Sequence, residues 1–299
     1  MRLDAAERPS RSVEGLRHVT GTSAAGGQKW AADVATVVDP RIAIAISEIQ
    51  DQFGITVEVK PKTLLKFGRS QQVSSTTRTT IMELPAGTLN ETYVDDNLIT
   101  TISSSSTADT QEIEVEGHTI DEDGNFTFVV QQVTLNGQNQ VSLATPLARV
   151  SRAFNNNNVD LAGDVYVYED DTTSAGVPDT DSLVHLLIRG SENRNQSFKA
   201  STTISNVDFY IVTQFAVSLE AKQASFVDGE LEVRLKGGVF RERLNLAASS
   251  SGGIAQVDLN PALIIPNNSD VRIRGLADSN GRTVSGYING YLAINQNVI

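Results

Sequence analysis

The sequence contains no cysteine among its 299 residues. This absence excludes a disulfide framework, thiolate metal sites and a cysteine nucleophile. A chain of this length buries a self-sufficient hydrophobic core without crosslinks, either in one large domain or in two modest ones. The missing cysteine therefore limits the chemistry of the protein but not its stability.

Basic residues are scarce as well. Lys and Arg together number 24 against 36 Asp and Glu, which gives a formal net charge of −12. A charge of this sign disfavours nonspecific binding to nucleic acid phosphates and to anionic membranes. We therefore expect neither nucleic acid nor a membrane among the partners.

Long apolar runs are also missing from the sequence. No stretch reaches the roughly 18 consecutive apolar residues that read as a transmembrane helix. Residues 1–19, MRLDAAERPSRSVEGLRHV, lack the apolar region of a signal peptide. The sequence predicts a soluble protein without Sec export.

Small and polar residues are abundant by contrast, and Ser, Thr, Asn, Gln and Gly are typical of strands and turns. From residue 55 onward, alternating segments such as EIEVEGHTI (112–120) and VSGYINGYLAI (284–294) are separated by Gly, Asn, Asp or Pro. Because no helix-length crossover separates these segments, we expect antiparallel pairing. The pattern predicts a mainly β fold, an antiparallel and jelly-roll-like β-sandwich.

One short helix is predicted before this sandwich, over residues 39–53. Asp39 suits the N-cap, Pro40 suits the first helical position and Gly54 suits the C-terminal end. The segment IAIAI (42–46) also alternates with period two, which leaves a strand as the alternative. The apolar side chains that share one helical face are Ile42, Ile46, Ile49 and Phe53.

The N-terminal residues 1–38 show no sustained helical or strand periodicity, and we interpret them as an extended arm. Trp30 is either the anchor of this arm or an ordinary surface aromatic. The serine run 103–106 predicts a boundary between an N-terminal region, 1–105, and a β-sandwich domain, 106–299. A loop inside one domain is the alternative.

Turn chemistry marks several of the strand ends. Tight hairpin turns are predicted at DEDGN (121–125), LNGQ (135–138) and KGG (236–238), where residues that tolerate positive φ occur. Two longer stretches, 152–163 and 168–182, are rich in Asn or Asp and are predicted as loops.

Three glutamates, Glu112, Glu114 and Glu116, alternate with apolar residues. In a strand their carboxylates lie on one face, with the apolar side chains on the other. A solvated face is the simplest explanation. The alternative is a partner strand of opposite charge, since cross-strand charge pairs stabilise a sheet.

Such a partner occurs in ELEVRLKGGVFRERL (230–244). There, Arg234 and Lys236 are predicted to share one face of a strand, and Arg241 and Arg243 to share a face of the next. We expect the acidic and basic stripes to meet, either within the chain or between subunits.

Metal ligands are suggested by Asp121, Asp123 and Asn125, which resemble the opening of a calcium-binding loop. No glutamate stands at the twelfth position of that loop, so a hairpin turn explains these residues better. We expect the other loop acids to be solvated, namely Asp170, Asp171, Asp179 and Asp181.

The three histidines, His18, His118 and His185, lack the spacing of a zinc site. His185 lies in an apolar segment and is predicted to be a hydrogen-bonded strand histidine. His118 follows a glycine and is predicted to lie at a turn or strand end. We therefore predict no metal site and no cofactor.

Catalytic motifs are not recognisable. The sequence has no nucleophile elbow, P-loop or dinucleotide glycine fingerprint. Paired glycosidase carboxylates leave no sequence spacing, but a sugar-cleaving cleft is usually rich in aromatics, which make up 6% of this chain. We expect no enzyme and assign no catalytic or cofactor-binding residue.

Three segments carry a resemblance in overall pattern: KTLLKFGRSQQVSSTTRTTIMEL (62–84), the stretch from EGHTIDEDGNFTFVV to AFNNNN (116–158), and NNSDVRIRGLADSNGRTVSGYINGYLAI (267–294). In these the chain resembles virion structural proteins of tailed bacteriophages over most of residues 55–299. No catalytic or binding motif accompanies the resemblance, so it carries over no functional residue.

The resemblance implies a non-enzymatic part of the virion, made in the host cytoplasm. A cement or decoration protein on the capsid surface is expected first, and a tail, collar or fibre component with a receptor- or carbohydrate-binding role is the alternative. The shell protein itself is disfavoured, because that fold in tailed phages needs a long spine helix. The implied partners are copies of the chain, a trimer being frequent among decoration proteins, and the major capsid protein or other virion proteins.

Attachment to such a particle is expected through the arm 1–38 and the helix that follows it. The loops 154–163 and 168–182 are expected to face outward.

Overall fold

The structure is a computed structural model that describes residues 39–55, 57–220 and 225–295. The predicted arm, with His18 and Trp30, lies outside the described residues. Across the described ranges, no helix combines the length and the apolar character of a membrane crossing.

The larger body of the protein consists of two facing antiparallel sheets. One contains, in spatial order, β1 (Val57–Val73), β18 (Arg282–Asn295), β13 (Asp208–Glu220) and β16 (Ile254–Ile265). The other contains β12 (Ser201–Ile204), β17 (Ser269–Ala277), β14 (Phe226–Arg234) and β15 (Arg241–Ser249), and the short β2 (Thr79–Thr80) pairs with β17.

The strand order identifies the topology of this body. With β2 set aside and the other strands numbered along the chain, the sheets run first, eighth, third, sixth and second, seventh, fourth, fifth. This is the order of a jelly roll, in which two Greek keys fold into a sandwich. The prediction of a mainly β, jelly-roll-like sandwich is confirmed.

A second, smaller sandwich is inserted between the first two strands of the jelly roll. One of its sheets contains β11 (Val184–Ile188), β8 (Val165–Glu169), β3 (Ile99–Ser104) and β6 (Val141–Leu147). The facing sheet contains β5 (Phe126–Thr134), β4 (Glu112–Ile120) and β7 (Arg149–Asn155), and β9 (Thr173–Ser174) pairs with β10 (Val177–Pro178) in the loop after β8. Short 3₁₀ turns lie at Asp181–Leu183 and Gly190–Glu192.

Each sandwich has its own apolar core. The jelly roll buries side chains such as Tyr210, Phe215 and Ile288 between its sheets. The inserted sandwich buries a separate set that includes Ile102 and Val115. Alternation along each strand puts these residues on the inner face, which is why period two predicts the architecture.

The boundary predicted at residue 105 does not match this organisation. Ser103 and Ser104 are buried in β3, and the chain then crosses to β4 in the facing sheet of the same sandwich. The hydroxyl of Ser103 donates to the carbonyl of Gly176 at 2.8 Å. The serine run therefore ends a core strand and opens a loop inside one sandwich, which is the alternative named above.

Helix α1, Pro40–Phe53, is confirmed together with its caps. The Asp39 carboxylate accepts a hydrogen bond from the backbone N–H of Arg41 at 3.0 Å. Gly54 ends the helix in the left-handed conformation, at φ 64°, as a C-terminal glycine does. The helix buries Ile42, Ala45 and Ile49 against the outer face of the β1–β18–β13–β16 sheet.

Most predicted strands are present, and β4 matches the segment 112–120 residue for residue. Four of the described strands have no counterpart among those predicted: β7, β16 and the short β9 and β10, which lie in the segment 168–182 that was expected to be a loop. β7 includes part of the segment 152–163, which was expected to be a loop, and β16 contains Pro261. Pro is tolerated in β16 because that strand lies at a sheet edge, where one side donates no ladder hydrogen bonds.

Candidate binding cleft between the two sandwiches

The two sandwiches meet at a buried ion pair. Arg149 in β7 donates from Nε to Asp270 Oδ1 in β17 at 3.0 Å, and each side chain is only 3% exposed. Asp270 also accepts from Thr203 Oγ1 at 2.7 Å and from Arg234 Nε at 2.9 Å. Burial acts to raise the pKa of Asp270, but the guanidinium groups of Arg149 and Arg234 hold that pKa below its usual value.

A second buried pair lies nearby. Lys199 donates to Glu91, which also accepts from Ser201 Oγ at 2.7 Å and from Tyr93 Oη at 3.0 Å. Burial lowers the pKa of the Lys199 ammonium, and the Glu91 carboxylate opposes that shift. Because losing one partner would leave an uncompensated buried charge, the two pairs fix how the sandwiches sit against each other.

A cleft of about 540 Å³ opens between the sandwiches. One wall is the outer face of the β5–β4–β7 sheet, and the other is formed by β1 and by residues 196–205. The polar side chains that line it include Lys66, Glu116, His118, Ser151 and Arg152.

His118 lies deep in this cleft and is 3% exposed. The prediction of a strand-end position is wrong, because β4 continues past Gly117 to Ile120. Gly117 instead marks a close approach of β7, since a Cβ there would lie 2.3 Å from the carbonyl oxygen of Arg149. Burial, and secondarily the charge of Lys66, lowers the pKa of His118 to about 3, so its imidazole is neutral near pH 7.

Two cations reach the cleft from opposite sandwiches. Lys66 in β1 donates from Nζ to the carbonyl oxygen of Ser151 at 3.5 Å. Arg152 in β7 lies 3.7 Å from Glu116 Oε1 and stacks over the ring of Phe154 at 4.4 Å. The cleft thus combines a neutral imidazole, a hydroxyl and charged groups of both signs, because the carboxylates of Glu116 and Asp208 line it as well.

The rim of the cleft is apolar. Leu65 and Phe67 in β1 face Phe128 and Val130 in β5, and all four are among the exposed large hydrophobic residues. Phe67 makes an edge contact with the ring of Phe198, with 5.4 Å between centroids. Exposed apolar side chains gathered around a polar floor are typical of a ligand site.

The predicted acidic stripe exists, and one of its members reaches the cleft. Glu112, Glu114 and Glu116 are half-buried on the outer face of β4. In the described part of the chain the basic residues before the hairpin do not meet this stripe, because Arg234 pairs with Asp270 and Lys236 donates to Asn125 Oδ1 at 3.0 Å. Among the described residues, Arg234 and Lys236 therefore do not pair with the acidic stripe within the chain, which was one of the two arrangements expected.

Arg241 and Arg243 are exposed at the start of edge strand β15. The pairing of β15 with β14 shifts register between Leu231 and Glu232, which marks a β-bulge. Arg243 is the residue left over at this shift, so the alternation is irregular there, and a shared face for the two arginines stays a prediction. Their contact with another subunit stays a prediction.

The acidic turn predicted at 121–125 is confirmed as a hairpin turn. The backbone N–H of Asn125 donates to Asp121 Oδ1 at 2.7 Å, and Gly124 has a positive φ of 74°. Gly137 and Gly237 likewise have positive φ, which confirms the other two turns. Within the described ranges, no three carboxylate or imidazole side chains gather closely enough to hold a metal ion.

Loop 168–182 is ordered by its own acids. Asp179 accepts from Thr172 Oγ1 and from Ser174 Oγ, both at 2.7 Å. Beyond this loop, His185 is buried in β11 with Nε2 2.9 Å from Glu169 Oε1, which confirms the predicted hydrogen-bonded strand histidine. Burial lowers the pKa of His185, although Glu169 acts to raise it.

No pattern in the sequence predicted the cleft as a whole. Lys66 and Ser151 belong to different sandwiches and meet only because one sandwich is inserted into the other. A local signal does exist at Lys66, whose charge interrupts the apolar segment LLKF (64–67). A lysine there predicts either a solvated edge or a polar site, and the structure shows it buried in the cleft wall.

No protein-family model and no curated protein matches the chain. Similar solved structures include the infectious bursal disease virus Gt strain, at 9% identity and TM-score 0.21, covering 82% of this chain and 74% of that one. They also include the CBM22-1-CBM22-2 tandem domain of Paenibacillus barcinonensis Xyn10C, at 9% identity and TM-score 0.20, covering 80% of this chain and 93% of that one. Likenesses at these TM-scores carry no argument about function.

Proposed function

We propose that the protein is a structural component of a virion, and specifically a cement or decoration protein on the capsid of a tailed bacteriophage. The protein acts by binding to other virion proteins and to copies of itself, and we propose no enzymatic activity. The resemblance of segments 62–84, 116–158 and 267–294 supports the virion assignment. One side of the jelly roll packs against the inserted sandwich, whereas the opposite side ends in two edge strands. This difference supports an assembly role.

The observation that carries the assembly role is the open double edge of the jelly roll. On one side, β12 lies next to the inserted sandwich, and Asp270 and Arg149 join the two bodies. On the opposite side, β15 and β16 are the edge strands of their sheets, with 9 and 12 residues. Edge strands of this length are ready contact surfaces for another chain.

The character of this edge favours a charged contact over strand addition. Pro261 in β16 and the charges of Arg241 and Arg243 in β15 are features that oppose simple strand pairing. The half-buried acidic stripe on β4 offers a complementary surface on a neighbouring copy. Because edge and stripe are different surfaces, the contact is head-to-tail, and it closes into a ring when the rotation permits.

A ring of this kind suits a trimer on a capsid lattice. Weak contacts repeated across a lattice hold firmly through high effective concentration. In the virion, the protein is expected at regular positions over the capsid surface, which cryo-electron microscopy of particles would reveal. Density confined to the tail tip would favour the fibre alternative and contradict a cement role.

Charge reversal tests the proposed contact. We expect Arg241→Glu with Arg243→Glu to weaken self-association at least ten-fold in sedimentation velocity, while the circular dichroism spectrum stays unchanged. Adding Glu112→Lys and Glu114→Lys to that variant is expected to restore association. Association that survives the arginine changes would contradict the contact.

A matched control separates complementarity from net charge. The same arginine variant combined with Glu122→Lys and Asp123→Lys has the same net charge as the rescued protein, but its new lysines lie in the β4–β5 turn. This control is expected to remain dissociated. Equal rescue by both combinations would show that overall charge, and not the stripe, governs association.

A further inference from the structure

Four large apolar side chains at the rim of the cleft are exposed. Leu65 and Phe67 on β1 are 59% and 42% exposed, and Phe128 and Val130 on β5 are 41% and 50% exposed. In each strand the two residues are separated by one position, so they project from the same face. Apolar side chains gathered in this way around a concave surface are typical of a place that another segment covers.

The inner surface of the cleft suits a polypeptide. The charged side chains on its walls have both signs, and they are Glu116, Asp208, Lys66 and Arg152. His118 Nδ1 and Ser151 Oγ are buried in residues that line the cleft and have no hydrogen-bonding partner among the described residues. Buried polar atoms in folded proteins are nearly always hydrogen-bonded. A peptide brings a donor and an acceptor with almost every residue, in its backbone N–H and C=O groups.

The chain enters helix α1 close to this rim. In the first turn of α1, Arg41 Nη1 donates to the carbonyl oxygen of Thr213 in β13 at 3.4 Å. The next residue of β13, Gln214, pairs with Asn289 in β18, and Asn289 pairs with Leu65 in β1. Neighbouring strands lie about 4.8 Å apart, so this row crosses the sheet over about 10 Å.

The segment that precedes α1 is long enough to reach the rim. Tyr291 packs with the apolar residues of α1 and pairs with Thr63, and Leu65 lies two residues further along β1. Leu65 therefore projects from the face of the sheet on which α1 packs. Residues 30–38 can span up to about 30 Å, which is well beyond the distance to Leu65.

The composition of this segment matches the cleft. Trp30 is the one tryptophan of the chain, and its indole is the largest apolar group that a side chain offers. Residues 28–38, QKWAADVATVV, are mostly small or apolar and carry one charge of each sign, on Lys29 and Asp33. An apolar anchor in a peptide with both signs of charge fits an apolar rim around walls with both signs of charge.

We propose that residues 28–38 dock in the cleft of their own chain, with the indole of Trp30 packed among the four exposed apolar side chains of the rim. The proposal names the occupant of the cleft and does not depend on a virion role. Glu116 belongs to the acidic stripe as well as to the cleft. The tests therefore change no residue of that stripe, and their readout needs no assembly.

The fluorescence of Trp30 reports on its surroundings, because no other tryptophan contributes. We expect the folded full chain to emit at shorter wavelengths than the urea-unfolded chain and to be quenched less by acrylamide. Phe128→Ala and Val130→Ala are each expected to move the emission toward that of the unfolded chain and to raise the quenching constant at least two-fold.

Matched controls remove exposed apolar side chains outside the cleft. Phe226→Ala and Val239→Ala alter residues that are 56% and 69% exposed and do not line it. Both are expected to leave the emission and the quenching of Trp30 unchanged.

Dilution distinguishes the arm of the same chain from the arm of a second copy. Because docking within one chain does not depend on concentration, the emission is expected to stay constant over a roughly 100-fold dilution. The same result is expected in the variant with Arg241→Glu and Arg243→Glu, so failure of the proposed assembly would leave this test intact.

NMR of the histidines checks the position of the indole without altering the cleft. Trp30→Ala is expected to shift the imidazole signals of His118, because a ring stacked at the rim lies close to that side chain. The signals of His185, which is buried in β11 and does not line the cleft, are expected to stay in place.

Four results would overturn the proposal. They are emission and quenching of Trp30 in the folded chain that equal those of the unfolded chain, equal emission in the cleft variants and their controls, a shift of the emission on dilution, and His118 signals that do not respond to Trp30→Ala. The second result would place the indole elsewhere on the protein, and the third would place it in the cleft of a second copy.

Discussion

Arg149 and Asp270 join the two sandwiches through a 3.0 Å hydrogen-bonded ion pair that is almost fully buried. The two residues differ in the charged and polar groups that surround them. Asp270 has a second cation, Arg234, and a hydroxyl donor, Thr203. Among the described residues, Asp270 is the one buried carboxylate that Arg149 contacts. The exposed Asp95 is 3.5 Å from Arg149 and 82% exposed, so it adds little.

This asymmetry predicts unequal costs of substitution. Asp270→Asn leaves two guanidinium groups without their shared anion and is expected to lower the free energy of unfolding by about 3–5 kcal/mol. Arg149→Met leaves Asp270 paired with Arg234 and is expected to cost less. Urea unfolding of both variants measures the difference, with the exposed Asp96→Asn as a control expected to change stability by less than about 0.5 kcal/mol. A larger loss in Arg149→Met than in Asp270→Asn would contradict the role given to Asp270.

His118 predicts how stability depends on pH. Its folded pKa is about 3, whereas the unfolded imidazole titrates near 6.5, so the unfolded chain binds the proton first as pH falls. The stabilisation is complete above about pH 6.5 and is lost toward pH 3, at up to about 1.4 kcal/mol per pH unit. His118→Gln is expected to flatten the change in unfolding free energy between about pH 7 and about pH 4.5. Parallel curves for the two proteins would show that His118 is not held neutral.

Gly290 lies in β18, between β1 and β13. A Cβ at this position would lie 2.1 Å from the carbonyl oxygen of Ile211, which is backbone and has no room to move. Gly290→Ala is therefore expected to lower the midpoint of urea unfolding sharply, by an amount equivalent to more than about 3 kcal/mol. In Gly286→Ala on the same strand, the new Cβ lies 3.1 Å from the Ile273 side chain and 3.5 Å from the Ala216 carbonyl oxygen, which is ordinary contact, so this change is expected to cost far less. Equal losses of stability in Gly290→Ala and Gly286→Ala would contradict the close approach of Gly290 to the Ile211 carbonyl oxygen.

Local patterns predicted much of this fold. Alternation marks the inner and outer faces of β4 correctly, because every residue of a strand alternates whatever it pairs with. The caps of α1 are equally local, since Asp39 and Gly54 act on the turns next to them. The sequence therefore indicated the elements of the jelly roll, together with several of its turns.

Contacts between residues far apart in the chain could not be predicted from such local patterns. The serines of β3 have a linker-like composition, yet Ser103 is buried because its hydroxyl finds a carbonyl from the loop after β8. β16 alternates only weakly and contains Pro261, so its place at the edge follows from topology rather than composition. The cleft was missed for the same reason, since Lys66 and His118 are neighbours only through the insertion.

Sedimentation velocity of the unaltered protein tests the central claim, that the chain exists to assemble, most directly. We expect a ring-sized species at low ionic strength that shifts toward monomer at about 0.5 M salt, because screening weakens exposed charge contacts between copies. A protein that sediments as a monomer at low salt, at every concentration, would contradict the account.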